Sequence, residues 1–375
     1  MRGLRKERSG YRGFRPGVLI LGLLAALSGC SGRGPGPAAG PAANPAAVRD
    51  ASWLQLQSGA FQPVADPGAA APVARRPWTV QSRVADMAFL DGTLYCGVNG
   101  SGLAAIGRDS AGKIAFEYHS DALIFGHRTI TTLIPRQGSI AIHLYFNALL
   151  NDARPQDLSI SGISLVSFMP QKSDYSFLIP PFQRANPDWE AVGFATESEN
   201  SFDFEWKYTD ASETRFRYTR YHADTKAEEP ADRDAYLAAL GVPAIEGPAV
   251  PSTLVSFFAS CRGEMPPLPP GASLQFSLRS RESPVTRNYR SRKESETAVA
   301  VPMFEEDGKL FALLPDGRIL SAESGSAPRG IALPRLPQGF HYTDLVKWGR
   351  SLVIPWEEID FTDVGRAGIL VYPLP

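Results

Sequence analysis

What most constrains this chain is its punctuation: short, largely apolar runs, each stopped by Asp-Gly or Asn-Gly. Residues 84–106 show it, with Val84-Ala85-Asp86-Met87-Ala88-Phe89-Leu90, then Asp91-Gly92, then Thr93-Leu94-Tyr95-Cys96-Gly97-Val98, then Asn99-Gly100. A two-residue type I′ turn needs positive φ at both central positions, which Asn, Asp and Gly tolerate, so the pattern predicts hairpins. It returns at Thr297–Ala322, where Asp307-Gly308 and Asp316-Gly317 bracket Lys309–Leu314. Weaker copies surround Gln137-Gly138 and Trp348-Gly349. The chain holds 34 Gly and 32 Pro, which implies many turns and few long helices.

The copies are spaced for a propeller. Gly92 to Gly138 is 46 positions and Gly308 to Gly349 is 41, near the roughly 40–50 residues of a four-stranded blade. The expected fold is therefore all-β, a β-propeller, and the 325 residues from Ala51 onward hold about six or seven blades. Paired β-sandwich domains are the alternative. The pattern resembles that of bacterial β-propellers in general, but no WD dipeptide assigns a propeller family. One short helical insertion is expected near 231–241, where an Ala- and Leu-rich run with early acids stops at Gly241 and Pro243.

The clearest strand pair is Phe202–Tyr218. Phe202, Phe204, Trp206 and Tyr208 alternate with Asp203, Glu205 and Lys207, giving one aromatic and one charged face. A loop over Thr209–Glu213 would set Glu205 opposite Arg217 and Trp206 opposite Phe216. The run Arg215-Phe216-Arg217-Tyr218-Thr219-Arg220-Tyr221 mixes aromatics with Arg, as a sugar or protein contact surface does, although alternation must turn half of it inward.

The N-terminus carries an address. Arg2, Arg5, Lys6, Arg8, Arg12 and Arg15, with Glu7 the only acid, precede the apolar run Val18–Leu27 and then Leu27-Ser28-Gly29-Cys30. A basic segment, a short apolar segment and small residues make an export signal. The run is about half the ~20 residues that span a bilayer. The Leu-Ser-Gly-Cys ending resembles the lipobox of bacterial lipoproteins. That resemblance implies cleavage before Cys30, acylation of Cys30 and attachment to the lipid bilayer, which two or more acyl chains make stable. Ser31, where an Asp often signals inner-membrane retention, points to the outer membrane. On this reading residues 1–29 are the signal peptide and 30–50 the acylated Cys with a Gly/Pro/Ala tether. Residues 51–375 are then the β-propeller-like domain.

Residues 1–29 hold six of the 38 basic residues and one of the 39 acidic ones, so the mature part carries 32 against 38, a net charge of −6. Nucleic acid is excluded as the main partner. Cys96 and Cys261 remain after the anchor, and export permits but does not require a disulfide between them.

No GxSxG, HExxH, P-loop or EF-hand pattern appears, and His119, His127, His143, His222 and His341 are scattered. No catalytic residue, cofactor or metal ligand is assigned. Two runs are candidate binding surfaces. The first gathers Glu357, Glu358, Asp360 and Asp363 beside Trp356; four carboxylates suit a hard cation, while the plainer reading is a solvated loop over Trp356 and Phe361. The second is basic, with Arg279, Arg281, Arg287, Arg290, Arg292 and Lys293 around Tyr289. It suits an anionic glycan or acidic partner, or guards an edge strand with charge. The function expected is non-catalytic binding or scaffolding at the cell envelope, of a protein or glycan. A polysaccharide hydrolase or lyase with its site in the propeller channel is the alternative.

Overall fold

Asp91 and Gly92 take φ of 50° and 81°, and Asp307 and Gly308 take 53° and 71°, the left-handed pairs a type I′ turn requires. Each joins two antiparallel strands: Val84–Leu90 with Thr93–Val98, and Ala298–Glu306 with Lys309–Leu313. The computed structural model describes residues 51–374 apart from 75–80, 127, 147–161, 211, 241–243, 246–249, 266, 284, 291–297, 324–325 and 360–363. The chain divides into two units, Met1–Ala38 and Ala39–Pro375. Cys30 and the expected signal and tether lie outside the described residues.

The architecture is all-β and propeller-like, with five sheets of four or six strands and one short extra pair among the described residues. Sheet I is the meander Val84–Leu90, Thr93–Val98, Gly102–Arg108, Ile114–Ser120. Sheet II runs Thr129–Arg136, Ser139–Phe146, Gly162–Met169, Asp174–Phe177, and sheet III runs Glu190–Ser198, Ser201–Thr209, Thr214–His222, Ala227–Pro230. Sheet IV is the meander Ala298–Glu306, Lys309–Leu313, Arg318–Glu323, Arg329–Ala332 with a hairpin added. That hairpin, Ser273–Ser280 with Arg287–Arg290, joins through a parallel pairing of Ser273–Ser280 with Ala298–Glu306. Hydrogen-bonded into sheet IV, it is no blade of its own, so five blade-sized sheets are described where six or seven were expected.

Sheet V closes the unit. The strand Ser52–Gln57 lies between Ala60–Val64 and the C-terminal strand Ala367–Pro373, which in turn pairs with Ser351–Glu358. Gly368 permits this closure, because a Cβ there would fall 1.9 Å from the Leu54 carbonyl oxygen and 2.7 Å from the Trp356 ring.

Successive sheets bury their faces against one another. Ala88, Tyr95 and Leu103 of sheet I share a core with Leu133, Ile142 and Phe168 of sheet II. Ile134, Ala141 and Leu165 of sheet II share another with Phe202, Phe204 and Trp206 of sheet III. Cys96 packs with Phe304, Phe311, Leu352 and Ile369, while Cys261 packs with Phe258, Phe276 and Met303. The two thiols are therefore free and lie in separate cores.

The expected helix is present as Arg233–Leu240. A longer one, Ser252–Glu264, covers sheet IV and buries Leu254, Phe257, Phe258 and Cys261, spaced at helical intervals of three and four. Cys261 thus sits on a second helix, where one short helical insertion near 231–241 was expected.

Candidate functional site

Two polar constellations stand out, one holding sheets together and one open to solvent. The first begins at Asp86, the lone acid in an apolar strand of sheet I. Its carboxylate accepts from Met87 N at 2.8 Å and from Leu133 N of sheet II at 2.6 Å. Arg279, at the end of sheet IV's added hairpin, donates to Asp86 and, at 2.8 Å, to Asp344, which precedes the Val346–Trp348 strand of sheet V. One guanidinium thereby links groups from sheets I, IV and V, while the Asp86 carboxylate draws in sheet II. Burial pushes the Asp86 carboxyl up from its ordinary value and Arg279 opposes that shift. Burial also works against the charge on Arg279, but Asp344 and Asp86 outweigh it and hold the guanidinium protonated.

A second ion-pair group lies close by. Glu306 accepts from Arg281 at 2.6 Å and from Lys347. Burial raises its carboxyl, but the two cations together carry it below the usual range. Above these pairs opens a cleft of about 170 Å³ lined by Met87, Phe89, Arg136, Glu199, Arg279 and Arg281 among others. The Arg281 guanidinium lies 4.9 Å from the Phe89 ring centroid.

The open constellation is on sheet III, and it depends on register. Thr209 pairs with Thr214, Lys207 with Phe216, Trp206 with Arg217 and Glu205 with Tyr218. This is one residue away from the register expected of the sequence. The cause is Asp210, whose side chain accepts from Ser212 N at 2.7 Å and Glu213 N at 2.9 Å, while its N–H donates to Glu213 O at 3.1 Å. An Asx turn closes the loop over four residues where five were expected. Shifting a pairing by one residue exchanges the partner strand's faces. Arg215 and Arg217 therefore share the face of Trp206 and Tyr208, and Phe216 and Tyr218 share the other with Glu205.

That other face is partly covered by the helix Arg233–Leu240, whose buried Tyr236 ring lies 5.3 Å from Tyr218. The aromatic face is covered only at one end. Phe202, Phe204 and Trp206 are buried, Trp206 donating its indole N–H to Thr219 Oγ1 at 2.7 Å. Thr219 donates to Glu228, and Glu228 accepts from Phe182 N, which pins the short helix Pro181–Ala185 over the sheet. Phe182 then lies 5.2 Å from Trp206 and 5.5 Å from Trp189, and Trp189 lies 5.6 Å from Tyr208. Phe182, Trp189 and Tyr208 are half-buried. The Arg217 guanidinium stands 5.8 Å from the Phe182 ring, and that of Arg215 5.6 Å from the Tyr208 ring. An aromatic stripe thus runs out of the core and ends in solvent beneath two arginines.

A family model matches residues 43–375. The chain belongs to DUF8086, a family of unknown function. No curated protein matches it. Among solved structures it is similar to AtxE2 isopeptidase, at 8% identity over 79% of this chain and 54% of that one, with a TM-score of 0.33. Trypanosoma rangeli sialidase aligns at 8% identity over 86% and 57%, with a TM-score of 0.30. An endo-arabinase from Bacteroides thetaiotaomicron aligns at 14% identity over 81% and 98%, with a TM-score of 0.30. The chain spans little more than half the length of the first two. Likeness this distant carries no inference about activity.

The residues singled out in the sequence are dispersed. Trp356 is only 1% exposed and packs against Trp53 and Phe340, so it belongs to the core of sheet V and not to a contact surface. Glu357 lies 3.6 Å from both Arg83 and His341, and Glu358 accepts from Arg366 at 3.0 and 2.7 Å. Cations already hold both carboxylates, which argues against a hard-cation site; Asp360 and Asp363 lie outside the described residues. No metal-ligand cluster occurs among the described residues. The basic stretch is divided: Arg279 and Arg281 turn to the acids above, Arg287 is exposed, and Arg290 donates to Gln275 at 2.9 Å. Arg292 lies outside the described residues.

Proposed function

We propose that this chain is a non-catalytic binding module of the bacterial cell envelope, held to a membrane through acylated Cys30. Its partner, an envelope protein or a glycan, is engaged at the aromatic–arginine end of sheet III. The observation that carries the reading is the stripe Phe182–Trp189–Tyr208, which continues a buried aromatic row into solvent under Arg215 and Arg217. Half-buried rings on a rigid sheet present recognition area at low conformational cost.

The alternative, a polysaccharide hydrolase or lyase with its site in the propeller channel, requires a carboxylate free to exchange a proton. Asp86 and Glu306 are instead held by amide and cationic donors. Their geometry favours holding sheets together over acid–base work.

The test is photo-crosslinking in intact cells, with benzoylphenylalanine placed at Thr214, beside Arg215, or at Asp316, in a turn of sheet IV. A single envelope protein or glycan conjugate formed from Thr214 and not from Asp316 supports the reading. Equal labelling, or polysaccharide turnover by the purified chain that Asp86→Asn abolishes, overturns it. Mass spectrometry of the mature N-terminus tests the anchor separately: a diacylglyceryl group on Cys30 is expected, and an uncleaved, unacylated precursor removes it.

A further inference from the structure

We infer that the aromatic–arginine end of sheet III binds a carboxylated glycan, with a uronic acid ring stacked on Trp189 beside Tyr208 and its carboxylate held by Arg217. The inference rests on the binding-module reading and names its ligand. Three observations carry it.

The first is the chemistry of the rings. The open end of the stripe consists of Phe182, Trp189 and Tyr208. The Trp189 indole N–H and the Tyr208 hydroxyl make no hydrogen bond with the described residues, and both side chains are half-buried. Flat rings with polar tips suit a sugar, which offers a C–H face to the ring and hydroxyls to the tip.

The second is charge. Glu213 pairs with Arg215 and cancels it. Among the described residues no carboxylate pairs with Arg217, whose guanidinium stands 5.8 Å from the Phe182 ring. A guanidinium lying on a ring keeps its N–H fork available, and a carboxylate accepts that fork through both oxygens. The Phe182 ring beneath the cation helps to hold the guanidinium in place.

The third is size. A stable protein interface buries about 800 Å² on each partner, far more than three half-buried rings and the Arg217 side chain present. One or two sugar rings fit that end without needing a wider apolar surround. This is why a glycan is favoured over an acidic protein.

The experiment uses the full chain in detergent, titrated with tri-galacturonate and with its methyl ester while Trp fluorescence is followed. Tri-galacturonate is expected to bind saturably, and the ester about tenfold more weakly, as expected when a charge-assisted bond is lost. Arg217→Gln should bring the two ligands to equal affinity, and Trp189→Phe should remove most of the fluorescence change while circular dichroism stays unaltered. Absence of saturable binding, or a preference for the acid that survives Arg217→Gln, overturns the inference. Hexaglutamate binding as tightly as tri-galacturonate also overturns it, in favour of an acidic protein. If the sugar fails while crosslinking from Thr214 still yields one partner, the binding module stands and only its ligand class falls.

Discussion

At the scale of single residues, the interior of this protein uses charge sparingly, and Asp86, Arg279 and Glu306 are all held by opposite charges. Asp86 carried a signal in the sequence that went unused, because a carboxylate inside an apolar strand must find donors or remain costly. Its partners were not legible: Leu133 is 47 positions away and Arg279 is 193, and nothing local links them. Removing one member of a buried pair leaves the other uncompensated, at about 3–5 kcal/mol. Arg279→Met should therefore lower unfolding free energy by about that amount in urea titration. Adding Asp86→Asn should recover part of the loss, since the stranded charge is then gone. Equal stability of the single variant and the parent would show that the linkage contributes nothing.

At the scale of elements, hairpins were readable where Asp-Gly stood between short apolar runs, because the turn alone determines them. Register on sheet III was not readable by the same route. Glu205 opposite Arg217 satisfied charge, yet the loop's own hydrogen bonds decided the pairing. Asp210, followed by Ser212 and Glu213, was the available signal, as an Asx turn counts its residues for itself. The arginines moved onto the aromatic face as a result, and with them the candidate site. A direct check is Thr209→Cys combined with Thr214→Cys. Their hydroxyl oxygens are 3.4 Å apart, so a disulfide should form on oxidation. In the register shifted by one, Thr209 would oppose Glu213 and no bond should form. The helix Ser252–Glu264 was missed for another reason: its β-branched and aromatic content resembles a strand, and only the spacing of Leu254, Phe257, Phe258 and Cys261 gives it away.

At the scale of the folded unit, the repeat spacing foretold many small sheets, but not how the first and last would meet. Strand Ser52–Gln57 and strand Ala367–Pro373 approach so closely that only glycine fits at 368. Gly368→Ala should force the strands apart, an overpacking cost of about 3 kcal/mol. The expected readout is a lower melting temperature, with amide protection lost first in residues 52–57 and 367–373. A change in which protection falls evenly across all sheets would show that closure is not the weak seam.

The seam has a consequence for how such a chain reaches its native state. A polypeptide made from its N-terminus exposes the strand Ser52–Gln57 more than three hundred residues ahead of that strand's partner Ala367–Pro373. Throughout that interval Leu54 and its row of backbone amides have nothing to pair with on one side. Vectorial delivery then ends with a zippering step that no earlier portion of the chain can perform, and a holdase guarding exposed strand edges would be needed most until Leu370 arrives.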